Sequence, residues 1–267
     1  MNDQEKKILI LCFSPSGCCA DLADAAKTVL EHDAHQVLLC DITDPGDREV
    51  LLEHTIKSDL LLLICPVYNR RIPTVVENFI TDFRAGARRA VLVLGYGSCG
   101  VGRAPEQARK IFGKKNIPLT RVMKYPTEHA YSFAMKAQQN MEDELGGLVF
   151  FLRTSVIETS REMPEIYAER DPFGILPTKW RQKLTASLPS TDMNACTLCG
   201  ECASLCPSGA LASDNTTVDA SLCLRCGECV RICPEHAKTI RLSPLTKLAM
   251  KRGFSKPART LELTERK

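Results

Sequence analysis

A cysteine tract that occurs twice, 27 residues apart, constrains this chain more than any other feature. Cys196-Thr-Leu-Cys199-Gly-Glu-Cys202-Ala-Ser-Leu-Cys206-Pro207 returns as Cys223-Leu-Arg-Cys226-Gly-Glu-Cys229-Val-Arg-Ile-Cys233-Pro234. Three thiolates at this spacing wrap three corners of a cubane cluster. The fourth corner lies too far round for the adjacent Cys-Pro, so in a two-cluster module the fourth ligand crosses over. One [4Fe-4S] cluster is therefore expected on Cys196, Cys199, Cys202 and Cys233, and another on Cys223, Cys226, Cys229 and Cys206. Gly200 and Gly227 lack a Cβ and let backbone N–H groups approach the sulfurs, and Pro207 and Pro234 end each loop by fixing φ. Zinc is the alternative, but paired Cys-x2-Cys ligands give no reason for a third cysteine or for the proline.

The rest of the composition agrees with metal rather than disulfides. Of 14 cysteines in 267 residues, eight lie in this repeat, and the opening residues show no signal-peptide pattern. A 44% apolar and 25% charged composition is that of a globular chain, with no apolar run of the roughly 20 residues needed to span a bilayer. A soluble, cytoplasmic protein without a nucleic-acid partner is expected. Charge is uneven: residues 238–267 carry nine Lys or Arg against two Glu, whereas the whole chain totals only +3. A basic tail at 243–267 that is solvated and partly frayed is the expectation, ahead of a docking surface for an acidic partner.

Ahead of the repeat, short apolar runs alternate with amphipathic stretches, the pattern of an α/β domain with a parallel sheet. The runs 8–13, 36–41, 60–65, 90–96 and 118–124 read as strands. Leu22, Ala25, Ala26, Val29 and Leu30 sit at helical spacing, as do Val75, Val76, Phe79, Ile80 and Phe83. The run 60–64 is continuously apolar, as in a strand covered on both faces. Five strands with right-handed crossovers close most simply as a doubly wound sheet of flavodoxin-like order 2-1-3-4-5. A last helix is expected over 141–161, interrupted at Gly146-Gly147. The expected boundaries are 1–162 for the sheet domain, 163–190 for a connector docked through Trp180 and Phe173 or left free, and 191–242 for a small α+β two-cluster domain.

In such a sheet a ligand lies at the carboxyl ends of the strands where the winding reverses, and three loops converge there. Ser14-Pro15-Ser16-Gly17-Cys18-Cys19 opens a helix and offers hydroxyls and amides to a phosphate. Pro66-Val67-Tyr68-Asn69-Arg70-Arg71 brings an aromatic ring, and Gly95-Tyr96-Gly97-Ser98-Cys99-Gly100 lets main chain approach a ring system. These loops resemble the flavodoxin family, and residues 192–241 resemble the bacterial two-cluster ferredoxins. Together the chain is similar to the flavodoxin–ferredoxin fusion proteins of anaerobic bacteria and archaea. The resemblance implies FMN, its phosphate at 14–19 and its ring between 66–72 and 96–102. Where the family carries Thr-Gly-Asn-Thr this chain has Ser16-Gly17-Cys18-Cys19, which removes an amide and a hydroxyl from the phosphate contacts. An empty scaffold is the alternative.

Cys12, Cys40 and Cys65 read as small buried hydrophobes. Cys18 and Cys19 lie near a helix N-terminus, which lowers thiol pKa, although simple packing is the simpler account. His129, in Glu128-His129-Ala130-Tyr131-Ser132, reads as a loop hydrogen-bonder that also has the chemistry to donate a proton to a flavin. Clusters move one electron and flavin one or two, so the expected function is electron transfer between a redox protein donor or acceptor, two clusters and FMN. A reductase of a small substrate, oriented by His129 or Arg70, is the second reading, and a redox sensor acting through the tail the third.

Overall fold

In the computed structural model, the described residues are 5–97, 100–134, 145–158, 165, 169, 171, 174–254 and 261–264. Ten elements build the first part of the chain in alternation: β1 (Lys7–Cys12), α1 (Cys18–His32), β2 (Gln36–Asp41), α2 (Pro45–Leu52), β3 (Thr55–Pro66), α3 (Thr74–Asp82), β4 (Arg84–Tyr96), α4 (Ala104–Lys114), β5 (Leu119–Pro126) and α5 (Leu145–Ile157). The strands pair in the parallel order β2-β1-β3-β4-β5, as expected. Alternate residues of the central strands supply two apolar layers. Leu9, Leu11, Leu61 and Leu63 join Val76, Phe79 and Ile80 of α3 and Ala108, Ile111 and Phe112 of α4. Ile8, Ile10, Leu60, Leu62 and Ile64 join Leu22, Ala26 and Leu30 of α1 and Leu148, Phe151 and Leu152 of α5. A strand covered this way has no polar face, hence its unbroken apolar sequence.

Two boundaries and one helix differ from the sequence expectation. β3 and β4 begin several residues earlier, because 55–59 and 84–89 pair in register beyond the apolar run, where side chains alternate between exposed and half-buried. Among the described residues α5 starts at Leu145 and takes Gly146 and Gly147 into its first turn. The tertiary contact of its Leu148, Phe151 and Leu152 with the sheet outweighs the roughly 1 kcal/mol that each glycine costs a helix. Residues 141–144 and 159–161 of the expected helix lie outside the described residues.

The second part continues with α6 (Thr178–Thr185), β6 (Ser190–Thr191), α7 (Glu201–Ser204), α8 (Glu228–Arg231), β7 (Lys238–Thr239), α9 (Pro244–Phe254) and β8 (Leu261–Glu262). β6 and β7 pair antiparallel. The two parts share a core: Leu224, between two of the repeat cysteines, is buried in the same apolar cluster as Phe13, Leu94 and Tyr96. Arg48 of α2 also donates to the Pro207 carbonyl at 2.8 Å.

Of the two rings expected to dock residues 163–190, Trp180 does not serve. Trp180 is 66% exposed, and Phe173 lies outside the described residues. Asp171 of this stretch pairs with Arg71 of the sheet domain at 3.5 Å and, within the stretch, with buried Arg181 at 3.0 Å. The basic tail is not simply frayed. Residues 244–254 form α9, and β8 adds an antiparallel sixth strand to the sheet at β5. Its anchor is Glu262, which meets the buried Arg121 guanidinium at 2.7 and 2.6 Å. Charge counting cannot see such a pairing, because the anchor is one of the tail's two glutamates.

Candidate functional site

The repeat folds into two four-cysteine clefts. Cys196, Cys199 and Cys202 line one together with Cys233, and Cys223, Cys226 and Cys229 line the other together with Cys206. The chain thus brings the eight cysteines together in the crossed arrangement. Equivalent positions take equivalent strained backbone: Leu198 and Arg225 have φ of 58° and 53°, and Gly200 and Gly227 have 84° and 83°. Glycine adopts such angles without steric cost, so in this fold the glycines serve the left-handed turn that starts α7 and α8. Burial raises the thiol pKa of Cys223 and Cys226, while backbone N–H groups of Arg225 and Glu228 favour the thiolates. Amides aimed at sulfur suit a bound anionic cluster. Among the described residues no three His, Cys, Asp or Glu side chains suit a single metal ion. The thiols surround a volume rather than a point.

At the carboxyl ends of the strands lies a cavity of about 200 Å³, more than ten times the roughly 10–15 Å³ that admits one water. Of the residues expected there, Ser16, Cys18, Cys19, Pro66, Val67, Tyr68, Asn69, Tyr96, Gly97 and Gly100 line it, with Arg70 and His129. Ser98 and Cys99 lie outside the described residues. Ser14 and Gly17 do not line it. The Ser14 hydroxyl oxygen accepts the amides of Cys19 and Ala20, both at 2.9 Å, so it caps α1 rather than facing a ligand. Cys19 is fully buried, and burial pushes its thiol well up instead of the helix start lowering it. Cys65 is raised to about 12 by burial as well.

The loop after β3 is a tight turn in which Tyr68 and Arg71 exchange two backbone hydrogen bonds of 3.0 Å. Asn69 and Arg70 both take positive φ, 52° and 61°, the geometry of a type I′ turn. This holds Tyr68 against the cavity, while the Asn69 carboxamide accepts from Thr185 of α6. Gly97 is needed for a close approach, though not to a ligand: a Cβ there would sit 2.6 Å from His129 Cα. The His129 ring takes the Tyr131 amide on Nδ1 at 3.1 Å, which leaves its proton on Nε2. Burial lowers its pKa to about 4, so the ring is neutral near pH 7.

Sequence reasoning missed the roof of the cavity. Arg181, Leu184 and Thr185 of α6, Leu245, Thr246, Ala249 and Met250 of α9, and Leu224 and Arg225 of the second cysteine loop all line it. No local motif marks them, since each is an ordinary helix or loop residue until the tail folds back. Leu224 and Arg225 also line the second cysteine cleft. The Tyr131 hydroxyl donates to the Arg225 carbonyl, and the Arg225 guanidinium to the carbonyl of Ala186. The cavity thus adjoins one cysteine cleft and not the other.

The apolar walls, the half-buried Tyr68 and the helix start at Cys18 fit a flat flavin with a phosphate at one end, and the residues present offer no cation in the phosphate loop itself. Residues 188–234 match the 4Fe-4S dicluster domain family. No curated protein matches the sequence. Among solved structures, the chain is similar to a flavodoxin of Streptococcus pneumoniae TIGR4, at 15% identity over 55% of this chain and 95% of that one, with a TM-score of 0.40. It is also similar to a flavodoxin from the domain Archaea (13%, 57% and 99%, 0.39) and to an NAD(P)H:quinone oxidoreductase from Methanothermobacter marburgensis (12%, 62% and 100%, 0.35). The chain thus joins a parallel sheet of order 2-1-3-4-5 to a segment that matches the 4Fe-4S dicluster domain family.

Proposed function

We propose that this protein passes electrons between two [4Fe-4S] clusters and FMN, and so links one-electron with two-electron redox partners. Bound clusters supply one-electron steps, and bound flavin holds one electron or two. The observation that carries the reading is the wall shared between the cavity and the second cysteine cleft, made by Leu224 and Arg225. Cys206, Cys223, Cys226 and Cys229 would hold the cluster nearer the flavin. Cys196, Cys199, Cys202 and Cys233 would hold the outer one, where Cys199 is exposed. Tyr68 would lie against the ring and the start of α1 would face the phosphate. His129, neutral near pH 7, would donate a hydrogen bond from Nε2 rather than a proton. Anaerobic purification with an absorption spectrum and cofactor counts tests this, with about eight iron, eight sulfide and one FMN expected per chain. Stoichiometric zinc without labile sulfide, or an apoprotein that takes up no FMN at high concentration, would refute it.

A reductase of a small substrate is the second reading, favoured by the apolar roof of Leu184, Leu245 and Met250 over the cavity. Stopped-flow mixing separates the two. A carrier is reoxidised by a redox protein, whereas a reductase turns over a small molecule with no protein acceptor.

A further inference from the structure

The two halves of the cysteine module repeat with an offset of 27 residues, and one buried position breaks the symmetry in charge. Leu211, four residues beyond Pro207, is equivalent to Lys238, four beyond Pro234. Both are buried, at 6% and 2% exposure. The Lys238 ammonium donates to Thr191 Oγ1 at 2.7 Å and to the Asn215 carbonyl. Both partners are neutral, and among the described residues it pairs with no carboxylate. A cation held out of water by neutral oxygens alone is costly, and such groups survive where an anion is near.

The side chain lines the cleft of Cys196, Cys199, Cys202 and Cys233. It also sits on β7, which packs against α8, the helix that carries Cys229 of the other cleft. Lys238 therefore lines one four-cysteine site and stands on the strand that packs against the other.

We propose that Lys238 is a fixed counter-ion shared by the two iron-sulfur clusters, a positioning charge that raises the reduction potential of both. This rests on the two-cluster reading. Four thiolates on a [4Fe-4S] core leave a net negative charge that grows on reduction, so a nearby cation favours the reduced form. A leucine, the residue of the other repeat, would fill the space without that effect.

The test compares the full-length wild type with Lys238→Met, Lys238→Leu and Lys238→Arg. Iron and sulfide are counted first, then each cluster is titrated with spectroscopic detection. A wild type without about eight iron per chain refutes the two-cluster reading itself, and the proposal falls with it. Given a loaded wild type, the Met and Leu variants should keep their iron while the equilibrium for reducing each cluster falls at least about tenfold, about 59 mV for one electron. Lys238→Arg should stay near wild type. Iron lost from Met and Leu but kept by Arg would equally support a required charge. Unchanged potentials in the loaded neutral variants, a shift at one cluster only, or iron lost from all three variants would overturn it.

Discussion

At the scale of single residues, burial decides more here than residue type. His129 has the chemistry of a general acid, yet desolvation drops its pKa from 6.5 to about 4 and leaves a neutral ring. As pH falls below 6.5 the unfolded chain protonates this ring while the folded one does not until about 4, so stability is lost on acidification across that window. From about pH 7.5 to about pH 5, wild type should lose about 2 kcal/mol more than His129→Gln, read from unfolding midpoints of the two proteins. A difference that is flat with pH would show that water reaches the ring. Tyr68 also owes its place to its surroundings, being held by the turn it shares with Arg71. Aromatic contact is worth on the order of 1 kcal/mol, so Tyr68→Ala should weaken FMN by up to about tenfold in a fluorescence titration with the fold intact.

At the scale of elements, the tail is the part that most needs explanation. β8 offers only two residues to the edge of the sheet, too few for backbone pairing alone to hold. Arg121 supplies the rest. Its guanidinium is 2% exposed and reaches the Phe151 carbonyl and the Ser155 hydroxyl at 3.0 Å as well as Glu262. Glu262→Gln leaves that charge with neutral partners and with Glu158 at 3.9 Å. It should cost about 1–3 kcal/mol and speed hydrogen exchange at 261–264 before the central strands respond. Exchange that remains slow there would mean that Leu263, buried in the core cluster, is the true anchor.

For the whole molecule, the wall of Leu224 and Arg225 makes the two cysteine clefts unequal. The crossed arrangement turns this into opposite expectations for two similar variants. Cys233→Ala should damage the outer cluster, held by Cys196, Cys199 and Cys202, although those residues are about thirty positions away in sequence. Cys206→Ala should damage the inner cluster and slow electron exchange with the flavin far more. Spectra of the surviving cluster and flavin reduction rates after rapid mixing check both. If Cys233→Ala instead spoils the cluster of Cys223, Cys226 and Cys229, ligation is local and the electron path must be redrawn.

The sequence by itself determined what is repetitive or periodic. The doubled cysteine spacing carried the expectation of which thiols share a cleft, three on one tight loop and a fourth from the other repeat. The apolar runs specified a parallel sheet buried on both faces, because each strand had no polar side to show to water. Tertiary structure alone decided the rest. Ser14 turned away from the cavity because the amides of α1 claimed its oxygen. Trp180 stayed in solvent while Asp171 bridged two arginines. The roof of the cavity came from α6, α9 and the second cysteine loop, whose residues carry no motif. They acquire a role only when long-range contacts, Glu262 with Arg121 and Leu224 with the sheet core, fold the end of the chain back over its beginning.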